Sequence, residues 1–238
     1  MKKSNFLRLA ACVAVLTLVG LSVWYFAFEL PARRQEAEWM QAVEEYRANK
    51  TAQFAAENER YADYEVDVAF IGDSLTDGYD VAAYYPQFLV SNRGIGGDTT
   101  FDLAERLQVS VYDLKPKVVV MLIGGNNPHS MFDNYESILQ GLQKNLPDTK
   151  VVLVSLTVMS GEHWGKNNQL AAYNNVKIKL LADKYGFTFV DLYSPMMDLS
   201  TGELYAHYTV DGAHLTAQGY EKFTGILTPV LDELLTIR

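Results

Sequence analysis

Residues 118–123 read Val-Val-Val-Met-Leu-Ile, six apolar side chains in a row with no polar position between them. A strand with one wet face alternates apolar and polar residues; a strand without alternation is buried on both faces, as in a parallel sheet covered by helices on each side. Similar short runs occupy residues 66–71, 88–92, 150–156 and 188–192, and the central one extends over 117–123. Longer stretches of mixed polar and apolar character separate them, predicting helices over 99–115, 131–144, 167–185 and 216–235. The alternation predicts an α/β fold of three layers. Neither an internal repeat nor a low-complexity tract interrupts it.

The N-terminal part obeys a different rule. Residues 9–28 are twenty consecutive uncharged, mostly apolar residues, which as a helix would extend about 30 Å, the thickness of a bilayer core. The run closes on Trp24-Tyr25-Phe26-Ala27-Phe28, an aromatic belt in place of the small residues of a cleavage site, so a retained membrane anchor is expected over a cleaved signal peptide. Lys2, Lys3 and Arg8 precede the run while Arg33 and Arg34 follow it, which places the N-terminus in the cytoplasm and the bulk of the chain outside. Secretion after cleavage is the alternative. Beyond Pro31 an Ala- and Glu-rich stretch places Trp39, Val43, Tyr46 and Phe54 at roughly helical spacing, predicting a stalk helix that packs on its own domain or on a second copy. The expected division is an anchor over 1–30, a stalk over 31–64 and a catalytic domain over 65–238.

Charge and cysteine content narrow the partners. Of 20 basic and 29 acidic residues, residues 1–34 hold five basic and one acidic, leaving 15 against 28, a net charge of about −13 on the remainder. Such a surface repels phosphate backbones, so nucleic acid is not an expected partner. Cys12 is the only cysteine and lies in the apolar run, which removes disulfides, thiolate metal clusters and a cysteine nucleophile.

In open parallel sheets ligands collect beyond the carboxyl ends of the strands. Four such places carry polar groups suited to acyl transfer: Gly72-Asp73-Ser74-Leu75, Asn92-Arg93-Gly94-Ile95-Gly96-Gly97-Asp98, Gly124-Gly125-Asn126-Asn127, and Asp211-Gly212-Ala213-His214 just before the last helix. Ser74, between a strand and a helix, exposes its hydroxyl at the rim. His214 can accept its proton, and Asp211, three residues earlier, can hold the other ring nitrogen. Gly97 lets its backbone amide approach a developing oxyanion closely, and Asn126 offers a side-chain NH₂ to the same oxygen. Taken singly, each of these is a common turn or cap; the set in this order is specific.

These four blocks resemble those of the SGNH (GDSL) hydrolases over residues 66–235, and the Asn-Arg-Gly-Ile-Gly-Gly-Asp-Thr-Thr stretch is similar to the platelet-activating-factor acetylhydrolase-like and lysophospholipase-like branch. The resemblance implies a five-stranded parallel sheet of flavodoxin-like order 2-1-3-4-5. It also implies Ser74 as nucleophile, His214 and Asp211 as base and orienter, and the Ser74 amide, Gly97 and Asn126 as the oxyanion hole. Gly125 stands where near relatives often carry Thr or Ser, which loosens that loop. The Gly-x-Ser-x-Gly elbow of the α/β-hydrolases is absent.

The expected activity is hydrolysis of acyl esters through an acyl-enzyme, with no metal or other cofactor. A short-chain, carbohydrate-linked O-acyl ester is the first expectation for substrate. Lysophospholipase or thioesterase action on longer chains, acyl transfer, and a non-catalytic tethered binding module are the alternatives. Of the other histidines, His129 reads as a loop residue, His163 with Trp164 as either a substrate loop or plain surface, and His207 as lacking the acidic partner of a base. Tyr79, Tyr84 and Tyr85 read as packing, with stacking on a sugar as the functional alternative.

Overall fold

The computed structural model describes Arg8 and residues 16–236. The chain forms two compact units, Met1–Asn49 and Lys50–Arg238. In the first, residues 16–24 are helical, Tyr25–Glu29 make a π turn, and helix α1, Leu30–Asn58, begins. Its apolar side chains stay in solvent, among them Leu16, Val23, Phe26, Trp39 and Met40.

The expected membrane span has no counterpart among the described residues: no helix there is long and apolar enough to cross a bilayer. Only residues 16–28 of the apolar run fall within them, and at about 1.5 Å per residue these reach roughly 20 Å, short of a bilayer core. Residues 9–15, with Cys12, lie outside the described residues, as do Lys2 and Lys3.

The second unit holds the last turns of α1 and the sheet. Strands β1 (Val68–Gly72), β2 (Val90–Gly94), β3 (Val118–Leu122), β4 (Lys150–Val154) and β5 (Thr188–Val190) are parallel in the order β2-β1-β3-β4-β5. Helices α2 (Ser74–Asp77), α3 (Val81–Tyr84), α4 (Thr100–Glu105), α5 (Tyr135–Asn145), α6 (Gly161–Trp164), α7 (Asn168–Tyr185), α8 (Tyr193–Met196) and α9 (Ala217–Thr236) connect and cover them. A two-stranded antiparallel hairpin, β6 (Met197–Asp198) with β7 (Glu203–Leu204), precedes α9.

The unbroken apolar strands now have a reason. Ala69, Ile71, Val119, Met121, Val151 and Leu153 enter one core with Leu103, Ile138, Leu142 and Ile178. Their neighbours Val68, Phe70, Val118, Val120, Val152 and Val154 enter a second core with Tyr79, Phe223, Leu227 and Leu231. Strands β1, β3 and β4 therefore bury both faces.

Two of the departures from expectation bear on the site. The second strand begins at Val90 instead of 88, because Phe88 is still in a turn that donates to the Tyr85 carbonyl. The helix expected over 99–115 stops at Glu105 and resumes as a π turn over Gln108–Tyr112. Between the two, Arg106 points inward and is buried.

Candidate active site

The registers Gly72↔Gly94 and Gly72↔Leu122 end β1, β2 and β3 at one level, so the loops after them form a shared rim. Gly72 is required there: a Cβ would lie 2.2 Å from the Leu122 carbonyl oxygen and 2.3 Å from Thr76 Oγ1. The chain then turns through Asp73, whose Oδ1 accepts the Leu75 N–H at 3.1 Å and caps α2. This starts α2 at Ser74 and leaves its hydroxyl and amide facing the rim.

The turn before α9 is built from local hydrogen bonds. Thr209 Oγ1 accepts the Gly212 N–H at 2.8 Å, and Asp211 Oδ1 accepts the Ala213 and His214 amides at 3.0 and 2.8 Å. Gly212 has φ +99° and a Cβ there would stand 2.3 Å from the Ser160 carbonyl, so the turn needs a glycine. Asp211 Oδ2 is left for His214 Nδ1 at 2.7 Å, and His214 Nε2 lies 3.0 Å from Ser74 Oγ. Burial alone would raise the Asp211 carboxyl. The imidazole and the two amides outweigh it and bring it down to about 2, so it is ionised at neutral pH. The three side chains thus meet in one hydrogen-bonded relay, with His214 and Asp211 each 43% exposed.

The other predicted residues, Gly97 and Asn126, lie on the loops after β2 and β3, and Asn126 lines a pocket together with Ser74. Gly97 adopts φ +82° with open space where a Cβ would be. Neither its N–H nor that of Ser74 donates to a protein acceptor among the described residues. Asn126 Nδ2 donates to the Asp98 carbonyl at 2.9 Å, which orients the amide and leaves its second hydrogen available. The Ser74 and Gly97 amides and one Asn126 N–H are therefore available donors on the loops after β1, β2 and β3.

Sequence reading missed Arg106. Its guanidinium pairs with the buried Asp98 carboxylate at 2.7 Å and donates to the Gly72 carbonyl at 3.0 Å and the Arg93 carbonyl at 2.8 Å. It thereby joins the ends of β1 and β2 to the Gly97 loop. Nothing in the local pattern, which reads as a solvent-facing helix, signals an inward arginine.

A small pocket of about 30 Å³ opens beside Ser74, lined by Asp73, Leu75, Gly125, Asn126, Met159, Trp164, Ala213 and His214. Gly125 lies against it, 3.7 Å separating its ideal Cβ position from Asp73 Oδ2 and from Met159 Cε. A side chain there would occupy the pocket. Burial pushes the Asp73 carboxyl up to about 7, against the opposing Leu75 amide. Trp164 meets the His214 ring edge-on at 6.3 Å and brings the loop after β4 to the site.

His129 and His163 are exposed. His207 packs against the Tyr205 and Tyr208 rings. Tyr79 and Tyr85 are buried beneath the sheet, their hydroxyls 2.9 Å apart. Tyr84 donates to the Ala217 carbonyl, so the tyrosines fulfil the packing reading.

The sequence pattern of the GDSL-like Lipase/Acylhydrolase family matches residues 70–222, more than half of the chain. The chain belongs to this family. It is a serine ester hydrolase of the GDSL type, similar to the platelet-activating factor acetylhydrolase IB subunit alpha2 of Rattus norvegicus, with 30% identity over 183 residues covering 73% of this chain and 79% of the relative. A solved structure from Streptococcus pneumonia, described as a candidate platelet activating factor, aligns with TM-score 0.74 and 25% identity over 85% of this chain and 99% of its own. An acetyl xylan esterase from Geobacillus stearothermophilus shares the fold, with TM-score 0.58 and 20% identity over 71% of this chain and 95% of its own.

Proposed function

We propose that this GDSL hydrolase cleaves short-chain O-acyl esters, carbohydrate-linked ones first among them, with Ser74 as nucleophile, His214 as base and Asp211 as its orienter. The observation that carries the reading is the continuous relay from Asp211 Oδ2 through His214 to Ser74 Oγ at 2.7 and 3.0 Å, opening onto a pocket of only about 30 Å³. A water needs about 10–15 Å³ of such space, so the pocket is on the scale of a short acyl group. Drug-sized ligands need roughly 300 Å³ or more.

Ser74 Oγ attacks the ester carbonyl while His214 Nε2 takes its proton. The oxyanion then rests on the Ser74 and Gly97 amides and the Asn126 side chain. His214 returns the proton to the leaving alcohol, water enters, and the same imidazole activates it against the acyl-enzyme. Trp164 at the pocket mouth supplies an apolar face for a sugar ring. The acetyl group in the name of the rat relative fits the same acyl size.

Chain-length profiling with acetyl, butyryl and palmitoyl chromogenic esters tests the substrate class: rate falls sharply beyond butyryl, and a preference for palmitoyl would move the assignment to a lysophospholipase. Ser74→Ala abolishes turnover and labelling by a fluorophosphonate probe; full turnover by that variant would remove the nucleophile. Acyl transfer to added sugar in preference to water would make the enzyme a transferase.

We further propose that residues 1–30 anchor the enzyme and that residues 31–64 form a stalk leading to a catalytic domain over 65–238, exposed outside the cytoplasm. The support is the uncharged run over 9–28 and its aromatic end. Retention in the membrane fraction after alkaline carbonate washing is the expected result, and a processed chain in the medium would favour secretion.

A further inference from the structure

Helix α1 ends inside the second unit, and its last turns reach the oxyanion loop from behind. Lys50 Nζ lies 2.7 Å from Asp77 Oδ1, and Asp77 Oδ2 accepts the Gly96 N–H at 3.1 Å. Asp77 closes the helix that Ser74 opens, and Gly96 directly precedes Gly97. The contact is close packed: a Cβ on Gly94 would lie 2.2 Å from the Asp77 nitrogen. One turn along α1, the buried Phe54 ring faces the Arg93 and Arg106 guanidiniums at 5.1 and 5.9 Å, and its carbonyl accepts from Arg93 at 3.1 Å. Arg106 is the side chain that holds Asp98 and the Gly72 carbonyl. All of these α1 residues lie outside the family match over 70–222.

We propose that Lys50 and Phe54 are positioning residues for the oxyanion hole, so that the end of the stalk helix sets the turnover of the hydrolase. The inference rests on the reading of Gly97 as an oxyanion donor. Two links from α1 converge on the loop carrying that amide: Lys50 through Asp77 and Gly96, and Phe54 through Arg93 and Arg106. Side chains of the Lys50 and Asp77 pair are only 20% and 18% exposed, so the carboxylate has little water to replace a lost ammonium. Without Lys50, Asp77 loses one charged anchor, its hold on the Gly96 amide loosens and Gly97 shifts. Loss of a whole oxyanion donor costs about 10² to 10³ in turnover, and a displacement of one costs a fraction of that.

The test uses the full chain with an acetyl ester. Lys50→Met lowers kcat by about tenfold with KM within about twofold, and Lys50→Arg restores most of it. Asp77→Asn has a similar effect, and the double variant Lys50→Met/Asp77→Asn is no slower than the worse single one, since both cut one chain. Lys115→Met, which breaks the exposed pair with Asp63, leaves kcat unchanged. Unchanged kcat in a folded Lys50→Met, or additive losses in the double variant, overturns the proposal; Lys50→Gln is read the same way if the methionine variant does not fold. An inactive Ser74→Ala beside a fully active Lys50→Met sinks this inference alone. An active Ser74→Ala sinks the catalytic reading, and this inference falls with it.

Discussion

The Ser74 turn and the His214 turn each place an aspartate within three residues of a proposed reacting group, and they treat it in opposite ways. Asp73 is buried at the end of β1, its carboxyl raised to about 7 by loss of water. Asp211 is half exposed, and its hydrogen bonds lower its carboxyl to about 2. The surroundings differ in the same sense. Around Ser74, buried Arg106 and Asp98 tie strand ends to loops, whereas the His214 turn is held chiefly by its own Thr209 and Asp211 side chains. The lesson is that the turn carrying Ser74, the proposed nucleophile, is anchored by buried ionic groups, whereas the turn carrying His214, the proposed base, is a surface device set against it. Stability and activity should therefore separate between the two turns.

The sharpest separation is expected at the base. His214→Ala lowers turnover of an acetyl ester by about 10⁴ or more while the melting temperature stays within a few degrees, because an exposed pair adds little to folding. A large fall in melting temperature would break the comparison. On the other side, Arg106→Met leaves the Asp98 carboxylate buried without its main cation and destabilises the fold by about 3–5 kcal/mol, read by denaturant unfolding. Asn126→Ala, at a side chain that donates to the Asp98 carbonyl and lines the pocket beside Ser74, lowers kcat by about 10² to 10³ with little change in unfolding.

The pH dependence distinguishes the two carboxyls by its sign. Asp73 has a folded pKa above its unfolded value near 3.8, so its contribution is full below about pH 4 and is lost as pH rises through about 7. Asp211 is shifted the other way, so its contribution is present above about pH 4 and is lost as pH falls through about 2. Asp73→Asn accordingly flattens the decline of melting temperature between about pH 4 and 7; an unchanged decline would show that Asp73 does not titrate there.

Much of the site was legible because its chemistry is local. Gly72, Gly97 and Gly212 mark places where a side chain would clash or the backbone takes positive φ, and such needs appear in sequence as glycine beside a polar reacting group. The strand runs were legible for a similar reason, since burial on both faces erases alternation. The break at Arg106 was not, because an arginine in a helical pattern reads as solvent-facing until the Asp98 carboxylate and two strand-end carbonyls are found inside. The β6–β7 hairpin was missed as well: two residues per strand are too few for a periodicity.

By itself the sequence determined the α/β alternation, the four rim blocks and the identity of the groups that could attack, accept a proton and stabilise an oxyanion, because each depends on residue type and near neighbours. Only the tertiary structure decided that Ser74 and His214, 140 residues apart, stand 3.0 Å from one another, that Lys50 and Phe54 link to the segment around Gly96 and Gly97 through Asp77, Arg93 and Arg106, and that the pocket beside Ser74 is small. Those facts arise from the registers of parallel strands and from helices packed across them, and contacts between distant segments leave no spacing to read along one chain.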